Sequence, residues 1–383
     1  MIPYGRQDIR QPDIDAVVAV LQSDFLTQGP QVPAFEQAVA AYCGAKYAVA
    51  VNSATSTLHL ACLALGLGPG DWLWTSPITF TASANCALYC GAQVDFVDID
   101  PYTLNMSVAA LRAKLALAKQ QQRLPKVVVP VHLCGQPCDM AAIHALAQEY
   151  GCAIIEDASH AIGARHQQQP VGSCRYSDIT VFSFHPVKII TSAEGGMALT
   201  QQAHLAEKMA LLRSHGITRN PAQMTQPADG AWYYQQIDLG FNYRMTELQA
   251  ALGLSQLTRL DEYIEQRHVL ARRYHQALAA LPLTLPQQHP DAYSAYHLYV
   301  VRLHDASRRR AVFDALRQDG IGVNVHYIPV HTQPYYRQRF GFKLGDFAEA
   351  ERYYQAALSL PMYPQLSDVD FEQVCDSLRR VLA

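Results

Sequence analysis

From about residue 35 to residue 265, short β-rich runs alternate with segments of helical periodicity, and no other feature restricts the fold so tightly. Strand candidates fall at residues 47–51, 72–75, 93–97, 127–132, 153–156, 179–184 and 195–200; helix candidates fall at 32–42, 56–64, 80–89, 108–122 and 140–150. Such alternation predicts an α/β layer architecture built on a mainly parallel, seven-stranded sheet. A capping box, Thr246 with Gln249, opens a long helix that carries Leu248, Leu252, Leu257, Leu260 and Ile264 towards a core. Proline and histidine then cluster around 282–290. Beyond them come a strand at 298–303, a helix at 307–318 closed by Gly320, a strand at 321–325, and helices at 346–358 and 367–382. This pattern predicts a large domain over residues 1–265 and a small C-terminal α+β domain over 266–383.

Composition bears on the partners. Half of the 383 residues are apolar and only 16% are charged, which fits a soluble chain with a sizeable interior and a further interface buried by oligomerisation. A formal net charge of −3 supplies no basic field to recruit nucleic acid or an anionic membrane. The start, Met1 to Arg6, lacks a charged region followed by an apolar core, and no apolar run is long enough to span a bilayer, so a cytoplasmic protein is expected. Nine scattered cysteines read as reduced, mainly buried thiols. The pairs Cys86/Cys90 and Cys134/Cys138 have the wrong spacing for a common zinc knuckle, and no metal site is expected.

Three segments carry candidate chemistry. Ser183-Phe184-His185-Pro186-Val187-Lys188 places one lysine after a strand and ahead of Gly195-Gly196. Ile189 and Ile190 imply burial, and a buried ammonium loses its proton or needs a partner. Ile154-Ile155-Glu156-Asp157 puts carboxylates at the end of a buried strand, where a charge also needs compensation. A lysine and a carboxylate so placed are what pyridoxal phosphate (PLP) chemistry requires: the amine forms a Schiff base with the cofactor aldehyde, and the carboxylate keeps the pyridine nitrogen protonated. The third segment, Asn52 to Leu60, sets small hydroxyl residues where a strand gives way to a helix. It reads either as a phosphate cradle or as an ordinary N-cap. His160 can serve a cofactor ring or be a core histidine, and Ser183 can donate to a phosphate or be structural. The polar stretch between Ser214 and Gln235 is either an active-site flap or a surface excursion.

Taken together, Asn52 to Ser56, Ile154 to His160, Ser183 to Gly196 and Gly240-Phe241-Asn242-Tyr243-Arg244-Met245-Thr246-Glu247 resemble the sugar aminotransferases of the DegT/DnrJ/EryC1/StrS group, from about Pro3 to the C-terminus. The resemblance implies a fold-type I, aspartate aminotransferase-like PLP enzyme that passes through a pyridoxamine phosphate form. It implies that Lys188 bears the cofactor, Asp157 pairs with the pyridine nitrogen, Phe80 covers the ring and His160 lies beside it. Ala54, Thr55, Ser56 and Ser183 would surround the phosphate, with Asn242 reaching it from the second subunit of a homodimer. Within the group, residues 23–29 and 325–329 are most similar to the transaminases of pseudaminic acid biosynthesis. These take L-glutamate as donor, release 2-oxoglutarate and aminate a UDP-4-keto-6-deoxy-N-acetyl-L-sugar at C4. Tyr4, Phe25, Leu26, Thr27, Gln28, His326, Tyr327, Ile328 and Pro329 would line the sugar-nucleotide pocket. Ser192 departs from the group's usual threonine but keeps the hydroxyl. Other readings are a bacillosamine- or legionaminic-type UDP-4-ketosugar aminotransferase, a PLP-dependent sugar dehydratase, or a non-catalytic regulator. Dehydratase relatives carry histidine where Lys188 stands, which favours aminotransfer.

Overall fold

The computed structural model describes residues 1–383 and centres on a seven-stranded sheet. Its strands are β1 (Tyr47–Val51), β2 (Trp72–Thr75), β3 (Gln93–Phe96), β4 (Val127–Val129), β5 (Ala153–Asp157), β6 (Ile179–Ser183) and β7 (Gly196–Thr200). Their spatial order is β1-β7-β6-β5-β4-β2-β3, and only β7 runs antiparallel to its neighbours. All seven expected strands are present. The 127–132 run stops at Val129 because Pro130 has no N–H to give the ladder. The central strands β4, β6 and β7 are buried along their whole length, as a sheet covered on both faces demands. The cover comes from helices α2 (Gln31–Cys43), α3 (Ala54–Ala64), α4 (Ala82–Tyr89), α5 (Val108–Gln120), α6 (Met140–Tyr150) and α7 (Ala203–Leu212), whereas α1 (Gln11–Leu21) packs outside this layer, its Asp13 bonded to Ser255 and Gln256. Six strands run in one direction, so their carboxyl ends open on one edge of the sheet, where α/β folds bind ligands.

Past the sheet, the helix expected to run on from Thr246 is two helices, α8 (Glu247–Leu257) and α9 (Leu260–Leu278). The capping box forms as expected, Gln249 N–H to Thr246 Oγ1 at 3.2 Å and Thr246 N–H to Gln249 Oε1 at 2.9 Å. The leucine pattern hid the break at Thr258-Arg259. There Arg259 turns its guanidinium onto both oxygens of the fully buried Asp13 carboxylate, at 2.6 and 2.7 Å. Leu248, Leu252 and Leu257 are only half-buried; α8 packs inward through Ala250, Ala251 and Gly253, the last lying flat against the Phe35 ring.

Helix α9 joins two cores. Leu260, Tyr263 and Ile264 belong with the large-domain residues, whereas Leu270, Ala271, Tyr274 and Leu278 pack with the C-terminal ones. The expected boundary at 265/266 thus lies inside a continuous helix. The C-terminal core rests on an antiparallel sheet of Leu283–Thr284, Tyr299–Leu303 and Ala357–Leu360, with helices Arg309–Gln318 and Asp368–Leu382, while helix Ala348–Ala356 turns Ala350 and Tyr353 into the core of the large domain. The helix expected over 346–358 therefore ends at Ala356, and the next four residues are strand. Helix α1 and helix Pro334–Phe340 were not anticipated. The chain's start is also part of this region: Ile2–Pro3 pairs in parallel with Ile321–Gly322. The stretch after Ser214 is anchored by pairing of Ile217–Thr218 with Gln235–Gln236, and it carries Trp232 and Tyr234 on the surface. No helix is long and apolar enough to cross a membrane.

Candidate active site

At the carboxyl edge of the sheet lies a cavity of about 440 Å³, walled by residues from both ends of the chain. Lys188 enters it from the turn after β6. Its N–H bonds the His185 carbonyl, and Phe184 pairs with Gly195 and Ser192, which folds the loop back into β7. The turn needs glycine at 195, because a Cβ there would run into Ser192 Oγ. Burial lowers the Lys188 pKa to about 8, with Asp157 pulling the other way, so the amine is readily available as a free base.

Asp157 ends β5 and faces the same cavity, 5% exposed. It accepts Ser83 Oγ at 2.6 Å, Ser159 Oγ at 2.6 Å and the Ser159 N–H at 3.1 Å. These donors fix the orientation of the carboxyl group, which is presented to the cavity that also holds the Lys188 amine. The adjacent Glu156 points to the opposite face of the strand and pairs with buried His132 at 2.8 Å.

The third wall is the start of α3. Ser53 caps it through the Ser56 N–H, leaving the first amides, Ala54 and Thr55, at the open end of the helix. Gly196 makes this wall possible, since a Cβ there would collide with Thr57 Oγ1 and the Ala54 nitrogen. Ser53, Ala54, Thr55 and Ser183 line the cavity; Ser56 does not, because its hydroxyl is held by Ser53 Oγ at 3.0 Å.

Phe80, His160, Tyr4, His326 and Tyr327 complete the lining. The Phe80 ring, 60% exposed, faces the Tyr327 ring at 6.2 Å. His160 Nε2 meets Tyr327 Oη at 3.0 Å, and burial together with Lys188 and His326 keeps its imidazole neutral. His326 is likewise neutral, its pKa lowered to about 4 by burial and by Lys188.

Other expected site residues are not brought in by a single chain. Phe25, Leu26, Thr27 and Gln28 lie exposed on a loop that meets Thr246 and Glu247. Asn242 is exposed beside Ser214, and Ile328 and Pro329 point away from the cavity, towards solvent and towards the protein interior respectively. Sequence reasoning missed Ser83, Ser159 and His297. Only Ser159 left a signal, since Asp-Ala-Ser favours a side-chain turn; α4 and the segment before Tyr299 deliver the other two from a distance.

These residues fit a phosphorylated aromatic aldehyde. Open helix amides and hydroxyls suit the phosphate, the amine of Lys188 suits the aldehyde, and the oriented carboxylate suits a ring nitrogen that carries a proton. The comparisons agree. Residues 7–379 match the sequence model of the DegT/DnrJ/EryC1/StrS aminotransferase family. Spore coat polysaccharide biosynthesis protein SpsC of Bacillus subtilis is 42% identical, covering 100% of this chain and 97% of the relative. Helicobacter pylori PseC, an aminotransferase involved in the biosynthesis of pseudaminic acid, superposes with a TM-score of 0.90 at 30% identity, covering 100% of this chain and 99% of PseC. Spr1654 of Streptococcus pneumoniae, described as a sugar aminotransferase and solved in PLP and PMP forms, has 28% identity; its PMP form reaches a TM-score of 0.91 over 100% of this chain and 99% of its own. The chain therefore belongs to the DegT/DnrJ/EryC1/StrS aminotransferase family, and is a PLP-dependent sugar aminotransferase.

Proposed function

We propose that this enzyme transfers the amino group of L-glutamate to C4 of a UDP-4-keto-6-deoxy-N-acetyl-L-hexosamine, the aminotransfer step of pseudaminic acid biosynthesis. The observation that carries this reading is the full-length likeness to PseC, joined to a cavity whose walls include Tyr4, His326 and Tyr327. Bound PLP would supply the electron sink that makes a proton on the amino-bearing carbon labile. The chain supplies the rest. Lys188 would anchor the cofactor and then, as a free amine, carry the proton between the two carbons involved; a pKa near 8 suits both tasks at neutral pH. Asp157, fixed by Ser83 and Ser159, would keep the ring nitrogen protonated. Phe80 would cover the ring, while Ser53, Ala54, Thr55 and Ser183 would bind the phosphate, with Ser56 acting indirectly by holding Ser53.

The same reading assigns Asn242 and the 25–28 loop to the site of a partner subunit in a homodimer. Exposed Phe25, Leu26, Trp232, Tyr234 and Leu239, with the half-buried leucines of α8, provide apolar surface for such a contact. A second reading has its own support: SpsC, 42% identical, is named for spore coat polysaccharide biosynthesis and not for pseudaminic acid, which leaves room for another UDP-4-ketosugar acceptor, for example of the bacillosamine or legionaminic type. The deciding experiment offers glutamate with a panel of UDP-4-ketohexoses and reads 2-oxoglutarate release and product configuration by NMR. The L-configured N-acetyl sugar should react fastest; preference for a D-configured sugar replaces the first reading with the second.

A further inference from the structure

The hydrogen-bond pattern around His160 determines where one proton in the cavity points. Cys134 lies in a tight turn, Leu133–Gly135, clamped by the Leu298 N–H on the Cys134 carbonyl and the Ala295 N–H on the Gly135 carbonyl. Gly135 is pressed so closely that a Cβ would sit 2.9 Å from His160 O, Tyr296 N and His297 N. This clamp aims the Cys134 N–H at His160 Nδ1, 3.3 Å away. A backbone amide can only donate, so Nδ1 is the acceptor and carries no hydrogen. In a neutral imidazole the hydrogen then sits on Nε2 and is given to Tyr327 Oη. The phenol accepts that bond and makes no other within the chain, so its own hydrogen is left without a protein acceptor. Tyr327 lines the cavity, between Phe80 and His326.

We propose that Tyr327 donates a hydrogen bond to the carbonyl oxygen of the ketosugar acceptor, and that His160 is the positioning residue that turns the phenol hydrogen towards it. This inference rests on the aminotransferase reading above. Charge gathers on the ketone oxygen as nitrogen adds to its carbon, and a donor already oriented there lowers that barrier. The amino donor is matched differently: a carboxylate gains most from a cation, and Tyr327 and its histidine neighbours are uncharged. The phenol keeps its proton throughout, because burial, then Cys134 and Asp157, push its ionisation up. The role is therefore a hydrogen bond and involves no proton transfer.

The test separates the half-reactions. In the PLP-loaded enzyme, Tyr327→Phe should slow reaction with the UDP-4-ketosugar by about a hundredfold, the typical loss for one oriented donor, and leave the glutamate half-reaction within about threefold. His160→Gln keeps an acceptor for Cys134 and a donor for Tyr327, and should recover most of the ketosugar rate; His160→Leu should resemble Tyr327→Phe. A readout independent of turnover is the nitrogen chemical shift of His160 in the cofactor-free protein, expected to report hydrogen on Nε2. Equal losses in both half-reactions for Tyr327→Phe, or a hydrogen on Nδ1, overturn the proposal. A wild-type enzyme that does not react with glutamate would instead refute the function proposed above, and the nitrogen shifts would still judge the His160 orientation.

Discussion

Lys188 is held where its charged form is penalised, and this has consequences before any substrate binds. The folded pKa is about 8, against 10.5 for an ordinary lysine. The cofactor-free protein should therefore capture PLP faster as pH rises, with a midpoint near 8 in the association rate; a midpoint near 10.5 would contradict the burial argument. The same difference touches stability. Between the two pKa values the folded state holds fewer protons than the unfolded one, so the cost of burying the ammonium is fully present below pH 8 and fades as pH rises towards 10.5. A Lys188→Met variant should accordingly be more stable than the cofactor-free wild type at pH 7, with the gap narrowing by pH 10 in denaturant titrations. At this scale Lys188 and Asp157 were legible because Asp157 ends a buried strand and Lys188 follows one with Ile189 and Ile190 behind it, where a charge in apolar surroundings demands a reason. Ser83 and His297 were not. Their roles come from helix α4 and from the segment before Tyr299, which lie close to Asp157 and His160 only once the chain has folded.

Among the elements, the junction of α8 and α9 carries the clearest energetic prediction. Burial pushes the Asp13 carboxyl up, but Arg259, the Arg10 amide, Ser255 and Gln256 together outweigh it and hold it below the usual range. Its contribution to stability is thus complete above the unfolded pKa, near 3.8, and is lost as pH falls through the depressed value. Arg259→Met leaves that carboxylate buried without its ion partner and should cost about 3–5 kcal/mol, measured as a lower denaturation midpoint at neutral pH. The strands of the main sheet were readable because apolar runs between helical segments have few alternatives. The break at Thr258-Arg259 was not, since the leucine spacing continues through it and the carboxylate that Arg259 meets there, Asp13, lies 246 positions earlier. Strand Ala357–Leu360 escaped notice for a related reason: Ala-Leu-Ser-Leu reads as the tail of a helix, and only pairing with Tyr299–Leu303 makes it a strand.

For the whole molecule, the question is whether one chain suffices. Asn242 and residues 25–28 stand outside the cavity of their own chain, and the homodimer reading brings them to a neighbour's. Subunit mixing tests this. A Lys188→Ala chain and an Asn242→Asp chain, each inactive alone, should regain about a quarter of wild-type activity when unfolded and refolded together, because half the dimers are hybrids and each hybrid has one intact site. No recovery would place Asn242 in the service of its own chain. Within a chain, the two cores are linked by the continuous helix α9, and the first residues are stitched to the C-terminal region through Ile2–Pro3 and Ile321–Gly322. Tyr4 follows directly on that pairing, its carbonyl takes the Met362 N–H, and its ring forms part of the cavity wall. A ribosome releases Tyr4 about three hundred residues ahead of the partners at 321, 322 and 362. A nascent chain can thus assemble the central sheet, with Lys188 and Asp157 in place, while the pocket still lacks one side; the enzyme closes that side only once the C-terminal region has followed.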